Sequence, residues 1–133
     1  MRIKFWSICL TVLAVIFAAI PVLGHHSFAA QYDRNKPHTF TGAVTKIDWI
    51  NPHARFFVDA KDESGKVVNW EVELGPPAGL MRRGWTRSSL KIGDTVTVNG
   101  FLAKDGSHVT NAQTVTLGDG KKVFAGSSID TNP

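Results

Sequence analysis

His25, His26, His53 and Asp33 are the residues of this chain whose types could do chemistry together, and that chemistry is binding a divalent transition metal. If processing makes His25 the first residue, a free α-amine and an imidazole sit on one residue and form a chelate. The amine titrates at about 7.7–8.0 and imidazole at about 6.5, so both nitrogens are available near neutral pH. A second imidazole opposite them completes a T-shaped set of three nitrogens, an arrangement suited to tetragonal Cu(II). His53 is the candidate for that place, because Asn51-Pro52 sets a tight turn just ahead of it. Asp33 or Tyr32 would add an axial oxygen. His26 adjoins His25 and points the other way on an extended segment, so it need not share the ion. His38 and His108 are more peripheral.

The start of the chain carries the processing expectation. Arg2 and Lys4 precede an apolar run over 5–20, Pro21 breaks it, and Val22-Leu23-Gly24 offers a tolerated residue at −3 and a small one at −1. This is the layout of a secretory signal peptide over 1–24, cut after Gly24, and it implies a periplasmic or secreted protein. The apolar run is shorter than the ~20 residues that span a bilayer, so no membrane anchor is expected after cleavage. Removing 24 of the 133 residues leaves 109, enough for one compact domain. Cys9 leaves with the signal, so the processed chain has no disulfide and rests on its apolar core. Lys+Arg falls from 15 to 13 against 11 acids, a balance too even for a nucleic-acid partner.

The processed chain reads as all-β. After a polar lead-in over 25–38, a first strand over 39–50 changes phase midway, since Phe40, Gly42 and Val44 share one parity and Ile47 and Trp49 the other. Such a slip marks a bulge or bend. Strands follow over 53–60 and 67–74, the latter with Val68, Trp70, Val72 and Leu74 inward and Asn69, Glu71 and Glu73 outward and solvated. A short helix over 77–83 has Pro77 near its start and Gly84 at its end. Strands over 95–101 and 109–117 and a short segment over 121–124 come next, with hairpin turns at Asp105-Gly106 and Asp119-Gly120. Three strands, one short helix and two strands is the order of a small five-stranded OB-like Greek-key barrel, here over 39–125 with a loose tail over 126–133.

Four segments carry a resemblance: His25-His26-Ser27-Phe28-Ala29-Ala30-Gln31-Tyr32-Asp33, the stretch from Thr41-Gly42-Ala43 to Ile50-Asn51-Pro52-His53, Arg82-Arg83-Gly84-Trp85, and Ala103-Lys104-Asp105-Gly106. Together they resemble an uncharacterised family of secreted bacterial proteins, the domain of unknown function DUF 6152. The resemblance implies a periplasmic OB-like barrel and brings no established activity. Arg55 departs from the pattern, which carries Trp or another apolar residue after Asn-Pro-His-Ala.

A second expectation is a binding module for a sugar, peptide or cell-envelope partner. OB-type barrels bind across strands two and three. Arg55, Phe57 and Asp59 share the outward parity of strand two, and Trp85 with Arg82 and Arg83 would extend that surface. The arginines suit a carboxylate or phosphate. No Gly-x-Ser-x-Gly elbow, Cys-x-x-Cys or phosphate-cradling glycine loop occurs, so a metal or small-ligand binder is expected rather than an enzyme.

Overall fold

The computed structural model describes residues 28–125, so His25 and His26 lie outside the described residues. The element order is α1 (Phe28–Gln31), β1 (Tyr32–Asp48), β2 (Arg55–Lys61), β3 (Val67–Glu73), α2 (Pro77–Arg82), β4 (Thr95–Ala103), β5 (Val109–Thr116) and β6 (Lys122–Phe124). The protein is mostly β, with short helices at Phe28–Gln31 and between β3 and β4. Among the described residues no helix is long and apolar enough to cross a membrane.

β1 is longer than its sequence suggests. It starts at Tyr32 rather than at residue 39, because the polar stretch ahead of Thr39 pairs with β4, from Tyr32 against Ala103 to Ala43 against Thr95. From Gly42 onward the same strand pairs with β2, and the register shifts between Val44 and Lys46. That shift is the bulge anticipated from the change of phase, and beyond it Ile47 packs on the core. Gly42 sits where the strand serves both neighbours. A Cβ there would run into the Asp59 carbonyl and the Val58 side chain.

The sheet order is β3-β2-β1-β4-β5-β6, and β3 also pairs in parallel with β5. The sixth strand, β6, grows from the segment over 121–124 and pairs with β5. Alternation decides which side chains turn inward. Phe56, Val58 and Ala60 of β2, Trp70 and Val72 of β3, and Val96 and Val98 of β4 are buried, together with Val44, Ala112 and Val115. α2 begins with proline after Pro76, and Gly84 takes a positive φ of 94° just beyond its C-terminal cap at Arg83. Leu80 and Trp85 from this segment are both buried in the core.

Candidate functional site

The antiparallel pairing of β3 with β2 and its parallel pairing with β5 set a polar row across three strands. Arg55 of β2 lies opposite Glu73 of β3, and Glu73 lies opposite Asn111 of β5. Glu73 has the outward parity of β3, yet it is only 6% exposed. The expectation that Glu71 and Glu73 are both solvated therefore fails at Glu73, because groups distant in sequence close over it. Asn111 Nδ2 donates to Glu73 Oε1 at 3.1 Å. His53 Nδ1 lies 3.2 Å from the same oxygen. Arg55 reaches Glu73 Oε2 at 3.8 Å and Glu71 Oε1 at 2.9 Å. The Tyr32 hydroxyl donates to the Glu73 carboxylate as well. Burial pushes the Tyr32 phenol well above its usual range, and the neighbouring Glu73 charge adds to that.

A buried carboxylate is tolerable only when it is partnered, and here Asn111 and Tyr32 donate to it while His53 and Arg55 stand 3.2 Å and 3.8 Å away. The arrangement also fixes His53. With Nδ1 turned to a carboxylate, the ring presents Nε2 away from it, and the side chain is 35% exposed. This is the carboxylate–histidine pairing that orients an imidazole for a ligand on its other nitrogen.

Beside the row lies a cleft of about 500 Å³ bounded by α1, Arg55, Glu71, Glu73 and the β4–β5 turn with Lys104, Asp105 and Ser107. Lys104 ties the turn to the start of the chain, its Nζ bonding the Ala29 carbonyl at 2.6 Å and its amide the Gln31 carbonyl at 2.8 Å. Hydrogen bonds from the Ser107 side chain and amide hold the Asp105 carboxyl below its usual range.

The remaining candidates scatter. Asp33 accepts the Asn35 amide at 2.9 Å and joins no metal-holding group. Among the described residues no three His, Cys, Asp or Glu side chains form one. Phe57 is half-exposed on the outward face, with the Lys46 ammonium 4.9 Å over its ring. Trp85 is not part of any surface: it is 2% exposed, and its Nε1 donates to the Phe124 carbonyl at 2.8 Å. The indole fills core space beside Trp49, which corrects the expectation that it faces a ligand. Arg82 and Arg83 are exposed at the end of α2, outside the cleft lining. Of the expected ligand-binding set, Arg55 alone lines the cleft.

Tyr32, a candidate oxygen ligand in the sequence, bonds to Glu73, and Glu73 and Asn111 complete a site that histidine spacing could not reveal. The family model for a family of unknown function, DUF6152, matches residues 13–112. The chain belongs to that family. The DUF6152 span contains every member of the Glu73 row, from Tyr32 to Asn111. No curated protein matches the chain, and no solved structure does.

At the other side of β3, His38 packs on Trp70 at 4.4 Å and Phe40 at 4.9 Å, with Nδ1 3.1 Å from Thr110 Oγ1. Burial lowers the His38 pKa below its ordinary 6.5. The unfolded chain then takes up a proton that the folded one refuses, so stability present above 6.5 is lost as pH falls through the lower folded value. Urea unfolding of the protein should therefore show a midpoint that drops on acidification from pH about 7 to about 5, by more than in His38→Gln. An equal drop in both would remove His38 as the cause.

Proposed function

We propose that this protein is a secreted, periplasmic metal-binding protein, an OB-like barrel that holds Cu(II) between its processed N-terminal His25 and His53. The single observation that carries this reading is the Glu73 carboxylate gripping both His53 and Tyr32. It orients Nε2 of His53 outward, and it brings the first described residues to the same place. Phe28 stacks on Tyr32 at 5.4 Å. Two residues, His26 and Ser27, separate His25 from Phe28, a reach of about 10 Å at full extension. His26 stays a neighbour in this reading, and Asp33 gives no ligand. The barrel reading draws its support from the circuit of pairings β1–β2–β3–β5–β4–β1, with the helix α2 between β3 and β4.

The cleft favours a second reading, a binding module for a sugar or peptide of the cell envelope. It lies on β2 and β3 and beside the β4–β5 turn, the part of an OB-like barrel that takes ligands. Arg55 and Lys104 set donors against Glu71 and Asp105 as acceptors, a lining suited to a polar ligand carrying both kinds of group.

Two experiments separate the readings. In competition titrations with Cu(II), the tag-free processed protein should outbind His53→Ala and a form with one extra N-terminal residue. Glu73→Gln should weaken binding by about 10–100-fold through His53 orientation. Equal affinity in the extended form would end the role of the His25 amine. For the cleft, chitin oligosaccharides and short peptides should shift the amide resonances of residues 103–109, and Arg55→Ala should abolish the shifts. No shift with either probe class would sink the second reading.

A further inference from the structure

The positive charge of this chain is concentrated in one stretch. Between Leu74 and Gly93 lie Arg82, Arg83, Arg87 and Lys91, with no acidic residue. The processed chain has 13 Lys+Arg against 11 acids, and taking these four away leaves 9 against 11, so its net positive charge depends on this stretch. All four side chains are exposed. None joins an ion pair among the described residues, where the salt bridges involve Lys46, His53 and Arg55.

The fold gathers part of this charge beside β6. Arg83 caps the end of α2, and its guanidinium lies 4.1 Å over the Phe124 ring. Stacking uses the face of the guanidinium and leaves its in-plane N–H donors for an acceptor. Lys122 and Phe124 share one face of β6, with Val123 buried on the other, so Lys122 joins Arg83 there. The Trp85–Phe124 hydrogen bond fastens the arginine-bearing loop to β6. Met81, next to Arg82, is 52% exposed. Asp119 is the one acid close in sequence to β6, and it accepts the Lys121 amide within its turn.

We propose that this face docks on an anionic lipid bilayer, with Arg82, Arg83 and Lys122 contacting headgroup phosphates. Guanidiniums without carboxylate partners suit phosphate oxygens. Met81 decides between a bilayer and a soluble anion, because an exposed apolar side chain among the cations gains only where hydrocarbon is at hand. The face shares no residue with the Glu73 row, so it stands whether or not a metal binds.

The test is flotation of the processed full-length protein with phosphatidylcholine vesicles, with and without phosphatidylglycerol, at low salt. Binding is expected on the phosphatidylglycerol vesicles and not on the neutral ones. Removing three near-surface cations in R82A/R83A/K122A should cost about a hundredfold in affinity. R82K/R83K should keep most of the binding, and Met81→Ser should weaken it. Circular dichroism checks that each variant is folded, which these exposed positions permit. Equal binding to neutral vesicles, or unchanged binding of the alanine variant, would overturn the proposal. So would unchanged binding of Met81→Ser, or displacement by inorganic phosphate, which would assign the face to a soluble anion.

Discussion

One buried carboxylate organises this protein. Glu73 sits where β2, β3 and β5 run side by side, and the chain's first described strand closes over it through Tyr32. Isolated, that charge would be costly to bury. Held by Asn111, His53, Arg55 and Tyr32, it instead becomes a joint between parts of the chain far apart in sequence. The described residues include no cysteine, so no covalent staple among them does this task.

The same joint links fold to function. A carboxylate on Nδ1 leaves His53 with one nitrogen for the outside and a fixed ring direction. A cleft with donors and acceptors opens beside it, edged by the turn that Lys104 ties to α1. The two proposed readings thus draw on adjoining groups, with Arg55 and Glu73 common to both settings. The arginine face around Phe124 is built differently, from cations that join no ion pair among the described residues.

Much of the fold was legible because it is periodic. The parity of β2 and β3, the bulge near Val44, the helix opened by Pro77 and the turns at Gly106 and Gly120 all follow from local pattern. The early start of β1 was hidden, because its polar residues pair with β4 without contributing to the core. Glu73 was misread for a related reason. Alternation assigns it to the outward face correctly, but burial there depends on Tyr32 and His53, which pattern along β3 does not contain. The opposition of Arg55 and Glu73 was readable from the hairpin register, since Lys61 pairs with Val67. Trp85 shows the converse: a tryptophan among exposed arginines looks like a surface group, and its indole turns into the core.

The most direct measurement of this account is the urea-unfolding free energy of Glu73→Leu. Replacing the carboxylate strands the donors of Tyr32 and Asn111 and leaves Arg55 to Glu71 alone, so a loss of about 3–5 kcal/mol is predicted. A change within about 0.5 kcal/mol, the range of ordinary surface substitutions, would contradict it.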